Sequence, residues 1–423
     1  MLKRSNNLDF FDSIVVGGGA SGLLAAGRAA ELGHRVLLLE KNRKVGEKLS
    51  ITGGGRCNIT NAVFTTRDFL RNYGEAQDFL FSPFSQFGVK ETFSFFENLG
   101  LPLVVEARNR AFPKTQKAED VTQVLEKYAR DNGVIIRTSS PVAKILRDRN
   151  KITGVVVGRA EYKTKSLILA TGGVSHPETG STGDGFSWLA ELGHSVRPPS
   201  PDVVPLAVAD DWIKKLSGVS LSFMKITFFC DGIKSFSKKG KILFTHFGLS
   251  GPLILNSARE VKRLLVEGEV TATIDAFPDT DLGSLEKQII KIFDANKNKD
   301  LKNIFKDIAP HGTAESILPL LTINPLMKVH SITREDRRKI LQLLKNLPVK
   351  IVGLMGYDRA VVSDGGISLM EMDLKTMSSK IYPNLFILGD LLDINRPSGG
   401  YSLQLCWTTA YVAANHLGEV LKD

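Results

Sequence analysis

The sequence predicts an α/β fold: a parallel-sheet domain, discontinuous in the chain, interrupted by an insert that is β-rich first and helical afterwards. Three observations predict it. The β-branched run Asp12–Val16 ends in three glycines and leads into an alanine-rich helix and a second buried strand. Arg197–Pro205 (RPPSPDVVP) places four prolines in nine residues and breaks the pattern. Strand-then-helix character returns near the carboxyl end, where Leu385–Asp390 (LFILGD) precedes a long apolar helix.

The elements follow in order. Ala20–Leu32 has the Ala, Leu and Gly content of a helix packed closely on a sheet, Gly33 stops it, and Arg35–Glu40 (RVLLLE) is the second strand. Together they make one βαβ unit, whose crossover is right-handed and builds a parallel sheet. Phe69–Leu99 is aromatic-rich and helical, and Ala118–Asn132 is an amphipathic helix with Val121, Val124, Leu125 and Tyr128 on one face. Strands are expected at Val134–Arg137, Lys151–Val157 and Lys165–Leu169, and then at Lys225–Phe229 and Glu269–Ile274. A lysine-rich helical stretch runs from Leu285 to Leu347, and the last helix covers about Ser402–Leu421. The expected domains are therefore residues 1–196 with 350–423, and an insert at 197–349, β-rich over 197–280 and helical over 281–349.

Composition excludes several classes. A chain of 423 residues holds two or three domains, and 43% apolar with 24% charged residues is ordinary for a globular protein. Cys57, Cys230 and Cys406 are too few and too scattered for a disulfide framework or a zinc site. Met1–Phe11 lacks the apolar core of a leader peptide, and Ile14–Leu39 is broken by Arg28, Glu31, His34 and Arg35. A cytoplasmic protein without membrane contact is expected. The net charge of +10 suits a solvated basic surface, with modest clusters at Lys234–Lys241 and Lys287–Lys302, and leaves a nucleic-acid partner open.

The chemistry lies in four motifs. Gly17-x-Gly19-Ala20-Ser21-Gly22 sits between strand and helix. Gly17 permits the turn, Gly19 lets backbone approach a pyrophosphate, and Gly22 lets helix and strand touch. The helix N-terminus receives the phosphates, and Glu40, followed by Lys41, accepts from the ribose hydroxyls. An acid at position 40 repels a 2′-phosphate, so the resident dinucleotide of this Rossmann-like unit is FAD or NAD. The second motif, Lys48–Asn61 (KLSITGGGRCNITN), favours FAD, which outreaches one βαβ unit. Its Gly53, Gly54 and Gly55 permit close approach, and Arg56 can neutralise a phosphate or polarise a ring carbonyl. Thr171-Gly172-Gly173 suggests backbone passing beneath the dinucleotide, with a plain turn the close alternative. In the fourth motif Gly389-Asp390 offers a carboxylate to ribityl hydroxyls, and Gly400-Tyr401 opens the last helix toward the flavin.

The order GGGASG, Glu40, TGGGRCN, ATGG, FTHFGLSGP (Phe244–Pro252), LFILGD and GGYSLQ resembles the bacterial HI0933-like flavoprotein family over nearly the whole chain. The resemblance implies a discontinuous FAD domain interrupted by a β-barrel-like and helical substrate or cap domain. It also implies an NAD(P)/FAD-dependent or aminoacetone-oxidase-like oxidoreductase. It carries Gly17, Gly19, Ser21, Gly22, Glu40, Lys48, Gly53–Asn58 (Cys57 and Asn58 included), Thr171, Gly172, Asp390, Gly400 and Tyr401 over as FAD contacts. The chain departs from the family pattern at Asp390, Arg396 and Ser402.

Among candidate catalytic groups, Cys57 lacks the second nearby thiol that disulfide exchange requires, which favours a packing role. His246 could exchange a proton beside the flavin, though a hydrogen-bonded structural histidine is the favoured reading. Arg396 reads equally as a substrate-binding or a surface arginine. No second GxGxxG occurs, and Gly251-Pro252 and Gly365-Gly366 read as turns. NADH or NADPH would therefore bind only transiently, or a small-molecule substrate would itself reduce the flavin. The expected activity is FAD-dependent hydride transfer; the rival is an FAD-containing RNA-binding or RNA-modifying protein.

Overall fold

The structure, a computed structural model, describes residues 10–420. Most of the amino-terminal segment read for a leader, and Leu421 at the end of the expected last helix, lie outside them. The chain divides into two compact units, Met1–Pro201 with Val361–Asp423, and Asp202–Ala360.

The first unit is built on β1 (Phe10–Val16), α1 (Ala20–Glu31) and β2 (Val36–Leu39). Five parallel strands lie in the order Ile135–Arg137, β2, β1, Ala160–Leu169, Leu385–Ile387. Counted along the chain this is 3-2-1-4-5, the doubly wound order, with its switch point between β1 and Ala160–Leu169. Ile14, Val15, Leu37 and Leu38 are fully buried, because helices cover both faces of a parallel sheet. The last helix, Tyr401–Val420, packs on α1, and its Trp407 indole donates to Ile59 O at 2.9 Å.

Several elements differ from expectation for identifiable reasons. Phe69–Leu99 is three short helices, Thr66–Leu70, Gln77–Gln86 and Val89–Asn98, with a break at Gly74. Lys165–Leu169 is the buried end of Ala160–Leu169. The outer half of that strand pairs antiparallel with Lys151–Val157, which pairs with Val142–Asp148. Arg197–Pro205 contains the strand Val196–Asp202, paired with Val362–Ile367 alone; a two-stranded ribbon tolerates prolines because its outer edges need no donor. Gly365-Gly366 is no turn. Both lie inside Val362–Ile367, where a Cβ on Gly365 would stand 2.7 Å from Pro198 O, and one on Gly366 2.6 Å from Leu391 O.

The second unit is a closed antiparallel barrel in the order Leu206–Val208, Gly248–Ser250, Ile233–Thr245, Ser220–Cys230, Val270–Asp275, Leu347–Leu354. The last of these strands starts where the helical stretch was expected to end, and pairs with the first to close the ring. Phe228, Ile242, Phe244 and Leu249 fill it. Ala258–Glu267, Leu282–Ala295 and Arg334–Lys345 are its longer helices. Among the described residues no helix is long and apolar enough to cross a membrane.

Candidate cofactor site

The site forms in the first unit, where the parallel strands end. Gly17 leaves β1 at φ +103°, and a Cβ there would lie 2.5 Å from Ala170 O, so the first and fourth strands of the sheet emerge in backbone contact. At Gly22 a Cβ would fall 1.8 Å from Gly17 O, so only glycine lets α1 start so close beneath the strand. Gly19 is different: nothing lies within 4 Å of its would-be Cβ. It begins α1 with no side-chain cap, and the first turn, including Ala20 and Ser21, carries no acid. An uncapped helix N-terminus with an open approach and no competing carboxylate is built for a phosphate group.

Glu40 is 8% exposed and held by two backbone amides: Oε2 accepts from Gly18 N at 2.7 Å and Oε1 from Asn42 N at 2.8 Å. Each oxygen keeps a lone pair for a hydroxyl donor. Lys41 turns away, its Nζ bonded to Asp184 at 2.8 Å and to Thr182. Lys48 reaches across to Ser175 Oγ at 2.6 Å and stands 3.9 Å from Asp390; burial lowers its pKa, and the Asp390 carboxylate opposes that fall. Ser21, Gly389 and Cys406 meet where a Cβ on Gly389 would be 2.9 Å from Ser21 Oγ and 3.2 Å from Cys406 Sγ.

The glycine-rich second motif is a broken helix, α2 (Glu47–Gly55), with Thr52, Gly53 and Gly54 outside helical dihedrals. Gly54 and Gly55, at φ +69° and +81°, have nothing within 4 Å of a would-be Cβ and stand open. Arg56 is already engaged: its guanidinium bonds Gln116 at 2.7 Å and Glu106, and lies 4.1 Å over the Phe112 ring. Cys57 is fully buried, and burial pushes its thiol up to about 12, so no thiolate forms near neutrality. The Asn58 carboxamide is satisfied when its oxygen accepts from Gly400 N at 3.0 Å and its nitrogen donates to Thr60 O and Ala111 O. Gly400 itself presses on Thr60, where a Cβ would be 2.3 Å from the carbonyl carbon. Tyr401 is buried against Phe69, with ring centroids 4.9 Å apart.

Thr171 Oγ1, next to Gly172, is buried without a hydrogen-bond partner among the described residues, as are Asn61 Oδ1 and Asn395 Oδ1. Native proteins rarely leave such atoms unpaired. The arrangement fits FAD on three counts: an open uncapped helix end for the pyrophosphate, a buried carboxylate braced for ribose hydroxyls, and orphaned polar atoms on the loops that lie beyond. Asn61, Ser175 and Cys406 were not singled out from sequence. Asn61 closes the motif Lys48–Asn61, but Ser175 and Cys406 carry no local signal.

Two sequence candidates sit differently from their readings. Arg396 is not on the surface: its side chain is 1% exposed and bonds Ser402 Oγ at 3.0 Å, Ile394 O at 2.6 Å and Asp390. His246, in the second unit, is exposed at the two-residue turn between Ile233–Thr245 and Gly248–Ser250, its ring edge-on to Phe247 at 4.9 Å. The sequence favoured a hydrogen-bonded structural histidine here; among the described residues the contact recorded for this ring is with Phe247.

Known proteins resemble this chain along its length. It is 28% identical to a 3-dehydro-bile acid delta(4,6)-reductase of Clostridium scindens, over 96% of this chain and 98% of that one. It is 27% identical to a ribosomal RNA dihydrouridine synthase of Escherichia coli strain K12, over 97% and 98%. The solved 3-ketosteroid delta1-dehydrogenase of Sterolibacterium denitrificans shares the fold at a TM-score of 0.56 and 14% identity, over 97% of this chain and all of that one. Residues 11–416 match the HI0933-like protein Rossmann domain, and the chain belongs to that family.

Proposed function

We propose that this chain saturates a carbon–carbon double bond conjugated to a carbonyl group, using FAD held at the carboxyl ends of the parallel strands. The reading rests on one observation above the rest. Two relatives matching the chain nearly end to end are named for different substrates, yet both names describe hydrogen added to such a bond. A bound flavin supplies the hydride. Glu40 and the α1 N-terminus anchor the nucleotide half of the cofactor, and Thr171, Asp390 and Gly400-Tyr401 hold the rest. Saturation also needs a proton at the second carbon. NADH or NADPH, visiting transiently, is the proposed reductant, in keeping with a single GxGxxG unit.

The leading substrate class is a small unsaturated ketone. A uridine in RNA is the second reading, which the charge of +10 favours, since a basic protein gains affinity by releasing counterions from phosphates. Anaerobic stopped-flow mixing tests both. The protein should be bleached by NADH or NADPH and recoloured by an enone panel, with two hydrogens gained in the product. Recolouring only by uridine-containing RNA, with salt-sensitive rates, would move the assignment to the second reading. Reduced protein that no acceptor of either class recolours would overturn both.

A further inference from the structure

Asp390 is a carboxylate in a charged cluster that the first unit buries beside its candidate cofactor residues. Its side chain is 13% exposed. Arg396 grips one of its oxygens, and Lys48 Nζ stands 3.9 Å from the other. Each nitrogen of the Arg396 guanidinium has a partner. Besides Asp390 it bonds Ser402 in the first turn of the last helix and Ile394 O in the preceding loop. One guanidinium thus ties together the turn Gly389–Leu391, the loop through Asn395 and the start of Tyr401–Val420. Two cationic side chains face the Asp390 carboxylate, and Lys48 also senses Glu178. The thiol of Cys406, which senses the same charges, is pushed up to about 12 chiefly by burial and supplies no second anion. Removing one partner of such a cluster leaves the other charge unbalanced in a poorly solvated place.

We propose that Arg396 is a positioning residue with two separable effects: its fork locks Asp390 for the cofactor, and its charge biases the bound flavin toward its reduced, more negative form. The proposal rests on the FAD reading above. A rigid carboxylate binds hydroxyls without first losing rotamer freedom, which is the geometric effect. A fixed cation in a poorly solvated site favours whichever state of its neighbour carries more negative charge, which is the electrostatic one. Uptake of two electrons and one proton adds one negative charge to the flavin, so the cation raises its midpoint potential.

The two effects separate across a charge series. Arg396→Met removes fork and charge, Arg396→Lys keeps the charge alone, and Asp390→Asn removes the carboxylate and leaves the cation unopposed. The measurements are FAD dissociation constants by fluorescence and midpoint potentials by anaerobic reduction against a reference dye. Asp390→Asn should have the highest potential, wild type and Arg396→Lys should be alike, and Arg396→Met should lie lowest. The Arg396→Met shift should be tenfold or more in the reduced-to-oxidised ratio, ~30 mV for a two-electron couple. FAD affinity should fall about tenfold or more in all three variants. Potentials unchanged across the series, or rising in Arg396→Met, would overturn the electrostatic effect. Undiminished affinity in both Arg396→Lys and Asp390→Asn would overturn the positioning effect, even if Arg396→Met fails to fold. Wild-type protein that binds no FAD would instead overturn the FAD reading itself.

Discussion

Glu40 and Gly18 are joined by a 2.7 Å hydrogen bond from the glycine amide to the carboxylate, so the end of β2 braces the turn that follows β1. The acid that should meet the ribose thus also holds the phosphate-binding turn in shape. Replacing Glu40 by Ala should weaken FAD binding by ~1–3 kcal/mol, the cost of unpaired ribose hydroxyls and backbone amides. Fluorescence titration of apoprotein with FAD checks it, and unchanged affinity would remove Glu40 from the site.

Gly19 and Gly22 lie three residues apart, yet substitution should affect them in opposite ways. Gly22→Ala drives a Cβ to 1.8 Å from Gly17 O and should yield unfolded or insoluble protein. Gly19 has φ −84° and open space, so Gly19→Ala should fold with a near-native melting temperature. Its methyl group should instead obstruct the phosphate approach and cost FAD affinity. A Gly19→Ala protein that keeps full FAD occupancy after dialysis would place the pyrophosphate elsewhere.

Cys57 and Cys406 are buried thiols pushed up to about 12 from an ordinary value near 9.0. The unfolded chain therefore releases these protons first as pH rises. Stability that is intact below about pH 9 should fall between about pH 9 and 12, by up to ~1.4 kcal/mol per pH unit for each thiol. Cys57→Ser should flatten that alkaline fall in urea unfolding while keeping most of the flavin reduction rate. A hundredfold loss of reduction with FAD still bound would instead make Cys57 a redox group.

His246→Ala should leave the flavin spectrum and FAD occupancy intact, because FAD is assigned to the first unit and His246 lies in the second. Loss of FAD from this variant on dialysis would contradict that assignment.

What was legible from sequence was local. The β1–α1–β2 unit was readable because glycine spacing, a buried apolar run and a terminal acid all fall within one short stretch. Leu385–Ile387 was readable for the same reason. Val142–Asp148 was missed because its apolar residues fall in adjacent pairs, Val142-Ala143 and Ile145-Leu146, and so show no alternation. The barrel strand Leu347–Leu354 was hidden by the basic helix that runs into it. The engagement of Arg56 was invisible because Glu106 and Gln116 lie fifty and sixty residues away. Arg396 lies only six residues from Asp390, yet its burial depends on how the loop folds over. Charge alone could not distinguish a buried tie from a surface side chain.

The central claim is that the first unit holds FAD, and the most direct measurement is the flavin released when the purified protein is denatured. Chromatography against standards should find FAD at about one per chain, and Glu40→Ala should lose it on dialysis. Release of FMN, or a colourless protein that does not take up added FAD, would contradict the account.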